Sequence, residues 1–287
     1  MNITGEQIRE INLVQLEIFK EFVKVCDKLN LTYYMVHGSL LGAIKHNGFF
    51  PFDDDIDVAM PRRDYDRLVK DAQSLLPKHL FLQSYLTERQ YPLTFAKLRD
   101  TKTAFVQPLV KNLGINCGIY IDIFPIDNFP NIKISRKCFE LVDWFYKVRI
   151  SERLSYEDKQ PLWKIFIRKC TMLLYPSWEK AVRSRAELYT RIPSNGLVVL
   201  TGGKVLEKGI PCEWFSDGIK CEFEGLYINC PKMYSEYLEC IYGDYENYNP
   251  AKKYMNEDGT VTVSAETIDC KNSYKELVFE DQQDRFE

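Results

Sequence analysis

Phe50-Pro-Phe-Asp-Asp-Asp-Ile-Asp-Val-Ala-Met60 places four carboxylates, Asp53, Asp54, Asp55 and Asp57, within five residues. Apolar side chains then alternate at Ile56, Val58 and Met60. Negative charge this dense repels itself unless water or a cation compensates it. Residues two apart on a strand share a face. A strand over 55–60 therefore sets Asp55 and Asp57 side by side and turns Ile56 and Val58 into the core. Such a pair suits Mg²⁺ (or Mn²⁺): Mg²⁺ takes one or two carboxylates together with phosphate oxygens and water. Asp53 and Asp54 precede the alternation and read as turn or supporting residues.

Upstream, Gly38-Ser-Leu-Leu-Gly42 follows a strand expected over 31–36 and precedes a short helix expected over 40–45. Backbone N–H groups at Gly38 and Ser39, with the Ser39 hydroxyl, are suited to phosphate oxygens. Downstream, Gly118-Ile-Tyr-Ile-Asp-Ile-Phe-Pro-Ile-Asp127 puts Asp122 in an apolar strand pattern, where an unpaired carboxylate is costly. Asp122 is therefore the expected third ligand beside Asp55 and Asp57. An EF-hand loop is the sharpest rival, since Asp53, Asp55 and Asp57 fit its first three ligand positions. Its sixth position is Val58 instead of Gly and its twelfth Asp64 instead of Glu, which argues against Ca²⁺.

The rest of the chain alternates strands and helices, as an α/β fold does. A helix is expected over 4–30, with Thr4 and Gln7 as a capping box, and another from Pro61 to Leu76. Strands are expected at 80–85, 94–99, 103–106 and 119–124. Long helical patterns cover 134–155 and 161–191, broken by Pro161, Pro176 and Pro193; strand character returns at 196–201 and 221–229, and a last helix covers 232–242. This divides the chain into a core over 1–130, a helical extension with a C-terminal strand and helix block over 131–258, and a polar tail over 259–287.

Hydrophobic residues make up 45% of the chain, enough for a sizeable core and against extensive disorder. A net charge of −3 excludes the global basic field of a nucleic-acid binder, so phosphate binding has to be local. The nine cysteines contain no C-x-x-C pair and read as reduced, mostly buried thiols of a cytoplasmic protein. Residues 1–6 lack the apolar region of a secretory signal.

The string from Gly38 to Asp57 resembles the LicD family of phosphocholine and polyol-phosphate transferases, within the nucleotidyltransferase superfamily and related to fukutin-type ribitol-phosphate transferases. Phe95-Ala-Lys-Leu-Arg-Asp100, Ile121-Asp-Ile-Phe-Pro-Ile-Asp127 and Ile241-Tyr-Gly-Asp-Tyr245 extend the match. Phe52 stands where the family more often has Trp, and Lys45 where it has Arg. The resemblance implies a nucleotidyltransferase-like mixed sheet flanked by helices. It also implies transfer of a phospho-alcohol from CDP-choline or a CDP-polyol to a glycan hydroxyl, with release of CMP. Teichoic acid, lipooligosaccharide, other lipopolysaccharide and capsule are the acceptors it allows. Under it, Lys97 and Arg99, two apart in a strand, point together at the donor phosphates; without it they read as an exposed basic pair. For the base that takes the acceptor proton, Asp122, Asp53, Asp54 and Asp127 stand beside His37 and His46.

Two other readings compete: a D-x-D glycosyltransferase using a nucleotide-sugar, and a non-catalytic scaffold on the same fold. A helix over 162–178 mixes aromatics and cations. Its apolar residues nearly surround it, which reads as core packing; the alternative is peripheral contact with the inner face of the membrane.

Overall fold

A computed structural model describes residues 1–154, 162–202, 209–249 and 254–277. Strand β1 (Asn2–Ile3) leads into helix α1 (Gly5–Leu29), which starts on the expected capping box: Thr4 Oγ1 accepts from the Gln7 N–H, and the Gln7 side chain accepts from the Thr4 N–H. Its apolar stripe, including Ile8, Ile11, Phe19 and Phe22, is buried in the main core. β2 (Tyr34–Met35), α2 (His37–His46), β3 (Asp57–Pro61), α3 (Arg62–Asp71), β4 (Leu80–Gln83), β5 (Ala96–Asp100), β6 (Ala104–Val106) and β7 (Tyr120–Asn128) follow. The helical extension holds α4 (Lys133–Ser151), α5 (Leu162–Leu174) and α6 (Trp178–Thr190). β8 (Leu197–Leu200), β9 (Ile210–Pro211), β10 (Ile219–Phe223), β11 (Leu226–Cys230), α7 (Tyr234–Tyr242), β12 (Val261–Thr262) and β13 (Thr267–Asp269) complete the described elements.

One mixed sheet of seven strands carries the architecture, in the order β2-β3-β7-β5-β4, with β8 and β9 continuing from the far end of β7. This is the α/β arrangement expected from the pattern. β7 is long enough to serve three neighbours: it runs parallel to β3 and antiparallel to both β5 and β8. Its residues Ile121 and Ile123 are fully buried, so the sheet is covered where the acidic residues emerge from it.

Three elements differ from the sequence reading, each for a physical reason, and the thiols are not mostly buried: Cys26, Cys117 and Cys230 are, whereas Cys138, Cys170, Cys212 and Cys240 are exposed. α2 begins at His37, so Gly38 and Ser39 lie inside its first turn and not in a turn before it. The break expected at Pro176 is present: the proline lacks the N–H that would continue α5, and Ser177 caps the start of α6 by accepting from the Lys180 N–H. The strand over 221–229 is a hairpin; Glu224 and Gly225 both take positive φ at its tip, as a two-residue type I′ turn needs. The start of the polar tail is knitted in: β12 pairs β1, β13 pairs β6, and Val261, Val263 and Ala265 are buried on a period of two. The break expected at Pro161 and the last ten residues of the tail lie outside the described residues.

α5 does not pack into the core along its length. Trp163, Phe166, Leu173 and Leu174 are all exposed, against the core-packing reading of this helix.

Candidate metal centre

The parallel pairing of β3 and β7 makes Asp57 and Asp122 direct register partners. The antiparallel pairing of β5 and β7 does the same for Lys97 and Asp122. Three strands thus lay carboxylate, carboxylate and ammonium in one row across one face of the sheet. Asp55, just before β3, turns back to the same place. Asp55, Asp57 and Asp122 each offer an oxygen within 4.8 Å of the others. Asp53, Asp54 and Asp55 form a second such group.

Lys97 is buried, and its Nζ donates to Asp122 Oδ1 at 2.5 Å. The same Nζ lies 3.4 Å from the centre of the Tyr120 ring, whose face further stabilises a cation. Arg99, two residues on, does not join it. Its guanidinium also lies over the Tyr120 ring, 4.7 Å from the centre, but donates to Gln83 Oε1 and to the Gly118 carbonyl, which leaves it a brace of β4, β5 and the approach to β7. Neither residue belongs to an exposed basic pair.

Ser39 is 1% exposed, and its hydroxyl is already engaged. It accepts from the Asp57 N–H at 2.9 Å and reaches the Asp55 carbonyl at 3.5 Å. Ser39 therefore clamps the backbone on both sides of Ile56, and so sets the spacing of Asp55 and Asp57. Gly38 lies against Asp53: a Cβ at Gly38 would sit 2.5 Å from Asp53 Oδ2. That oxygen is buried and has no hydrogen-bond partner.

Electrostatics make the cluster expensive without a cation. Burial is the largest cause for every member, raising the affinity of Asp53, Asp54, Asp55, Asp57 and Asp122 for protons. Repulsion adds to it. Asp53 is pushed up to about 7 by burial and by Asp54, with a hydrogen bond from Asp55 opposing the shift. Asp55 and Asp57 are pushed well above the ordinary range, Asp55 by Asp57 and Asp57 by Asp122 after burial. The Lys97 charge opposes the rise at Asp122, while burial lowers the proton affinity of Lys97 itself. An all-oxygen donor set of this density, with an orphaned buried carboxylate oxygen beside it, fits a hard divalent cation.

Two supports were not visible in the sequence. From α1, Asn12 Nδ2 donates to the Asp53 carbonyl at 3.0 Å, and Gln15 Nε2 donates to the Asp54 and Tyr120 carbonyls at 2.7 and 3.2 Å. Both are buried polar residues on the core face of an amphipathic helix, and that mismatch was the available signal. Phe52 and His37, flanking the acidic turn, hold positive φ of 78° and 52°. Such strain in non-glycine residues concentrates at functional sites.

The alternative bases separate clearly. Asp127 is five residues beyond Asp122, roughly 16 Å along the strand and on the opposite face. It is bound bidentately by Arg62 and accepts from Thr201 Oγ1. His46 packs edge-on against Phe50. His37 has its ring edge-on to Phe124 and its Nδ1 at 3.4 Å from the Tyr237 hydroxyl. Lys45 is held by the C-terminal block, donating to the carbonyls of Tyr245, Glu246 and Tyr248.

Residues 30–175, just over half of the chain and including every carboxylate of the cluster, match the family model described as LicD/FKTN/FKRP, nucleotidyltransferase domain. The chain is 28% identical over 254 residues to the lipopolysaccharide cholinephosphotransferase LicD of Haemophilus influenzae, covering 85% of this chain and 92% of that protein. It is also 36% identical over 137 residues to an uncharacterized protein of Rickettsia prowazekii, covering 45% of this chain and 47% of the relative.

Proposed function

The chain belongs to the LicD family, and on that premise we propose that it transfers phosphocholine, or a related phospho-alcohol, from a CDP-linked donor to a hydroxyl of a cell-surface glycan, releasing CMP. The observation that carries this reading is the convergence of Asp55, Asp57 and Asp122 beside the buried Lys97, within the residues the family model covers. The Haemophilus relative, named for cholinephosphate transfer in lipopolysaccharide, supports choline as the headgroup and lipopolysaccharide as the acceptor class.

A divalent cation held by Asp55, Asp57 and Asp122 supplies charge neutralisation and alignment for the donor's phosphates. The chain's own residues do the rest. Ser39 fixes the backbone that presents Asp55 and Asp57. Lys97 orients Asp122 and leaves a fixed positive charge in the row. The first turn of α2, with no side chain capping it, offers backbone N–H donors to an anion. The acceptor hydroxyl oxygen bonds to the phosphorus that carries the alcohol. The bond from that phosphorus to the CMP oxygen breaks, and the hydroxyl proton passes to a carboxylate of the acidic turn.

The test is a donor panel. The purified chain is incubated with a divalent cation, a glycan acceptor and each of CDP-choline, CDP-ribitol and CDP-glycerol, and CMP release is followed. The expected result is acceptor-dependent CMP release, fastest with CDP-choline. No release from any CDP donor, with turnover of a nucleotide-sugar instead, would overturn it.

A further inference from the structure

α5 wears its apolar face outward. At 3.6 residues per turn, Trp163, Phe166, Cys170, Leu173 and Leu174 lie on one side of the helix. All five are exposed, Leu173 at 84%. Among the described side chains of this helix the buried one is polar: Thr171, whose hydroxyl donates to the Arg168 carbonyl. α4 packs against α5, and Arg149 ties the two together by donating to the carbonyls of Tyr175 and Pro176. α4 adds its own exposed apolar stripe at Ile134, Cys138 and Leu141, spaced i, i+4, i+7. Soluble monomers rarely leave apolar side chains this large uncovered along a helix without a partner.

Charge says which partner. α4 and α5 together carry eight Lys and Arg against two Asp and Glu, in a chain whose net charge is −3. Lys133 and Lys137 are exposed beside the α4 stripe, and Lys169 is exposed on α5. Trp, Phe and Leu on one side with Lys and Arg flanking them is the composition of a helix that lies in a lipid interface. Two copies of this surface would bring like charges together, which disfavours self-association. No helix among the described residues is long and apolar enough to cross a membrane.

We propose that the α4–α5 surface docks the protein onto an anionic lipid surface, with the exposed side of α5 lying in the boundary between headgroups and acyl chains. Binding is read without turnover, so this inference stands or falls separately from the transfer reaction.

The test is flotation of the intact chain with phosphatidylethanolamine–phosphatidylglycerol vesicles and with phosphatidylcholine vesicles. Binding to the anionic vesicles is expected to be at least about tenfold stronger and to weaken as salt rises. A Trp163→Ser, Phe166→Ser, Leu173→Ser variant is expected to stay in solution with unchanged circular dichroism. A Lys133→Gln, Lys137→Gln, Lys169→Gln variant is expected to lose about a hundredfold in affinity for the anionic vesicles. Quenching of intact-chain fluorescence by brominated phosphatidylglycerol, diminished in Trp163→Phe, reads the same contact without disturbing the fold. Failure of the intact chain to float, equal binding to phosphatidylcholine, or undiminished binding by the apolar variant would overturn the proposal. So would an intact chain that sediments as a dimer without binding vesicles while the apolar variant is a monomer.

Discussion

Asp57 and Asp122 sit directly opposite each other across the parallel β3–β7 pair, and both are buried. A sheet ordinarily avoids like charges in register. Here the pairing is offset on one side by Lys97, and Asp55 and Asp53 add further negative charge on the other. The fold thus holds open a place for positive charge, and the predictions follow from that imbalance.

The metal-free protein should lose stability as pH rises. Asp53 gives up its proton near 3.8 in an unfolded chain but at about 7 when folded. It faces Asp54, Asp55 and Asp57, with the Tyr242 hydroxyl from α7 also nearby. Between those two pH values the folded state binds more protons than the unfolded one, so unfolding becomes easier with each step upward in pH. The other raised carboxylates act in the same direction. Melting temperatures measured with chelator should be lower at about pH 8 than at about pH 5. Added Mg²⁺ or Mn²⁺ should raise the melting temperature more at the higher pH, because the ligands must be deprotonated.

Lys97→Met removes the cation that donates to Asp122. Breaking a buried ion pair by deleting one partner costs about 3–5 kcal/mol. Urea unfolding of metal-free protein should show a loss of that order. The loss should shrink when a divalent cation is present.

Gln15→Leu leaves the Asp54 and Tyr120 carbonyls without their donor from α1. The expected cost is about 1–3 kcal/mol, together with weaker divalent-cation binding measured by calorimetry. Unchanged cation affinity would reduce Gln15 to a core residue.

The two glycines of the Gly38–Gly42 string should respond differently to alanine. At Gly38 a Cβ meets the tip of the Asp53 side chain, which can swing away. At Gly42 it meets backbone, 2.4 Å from the Gly48 carbonyl oxygen and 2.6 Å from the Phe50 nitrogen. Gly42→Ala should therefore destabilise by several kcal/mol, at the upper end of single substitutions. Gly38→Ala should stay within about 1 kcal/mol of the parent, helped by alanine's helix propensity, yet show slower donor turnover as Asp53 is displaced.

The acidic centre was legible because a period of two is a strong signal. Asp55, Ile56, Asp57 and Val58 announce which side chains share a face, and Asp122 stands out in an apolar run. The mixed sheet and the helix start at Thr4 were readable for the same kind of reason. Arg99 was not legible: from spacing alone it is equivalent to Lys97, and only the β4 partner Gln83 and the Gly118 carbonyl show where its guanidinium goes. Asn12 and Gln15 are ordinary helix residues until the turn they brace is folded over them. The outward face of α5 was hidden too, since an apolar helical stripe looks the same whether it meets a core or faces out.

The measurement that bears most directly on the central claim is CMP release from CDP-choline, with a glycan acceptor and a divalent cation, by the parent and by an Asp55→Asn, Asp57→Asn variant. The parent should turn over only when the cation is present. The variant should fold, lose its cation-dependent donor binding, and be slower by about 10²–10⁴-fold, the loss expected when charge stabilisation at the reacting phosphorus is removed. Near-normal release by the variant, or by the parent in excess chelator, would contradict the account.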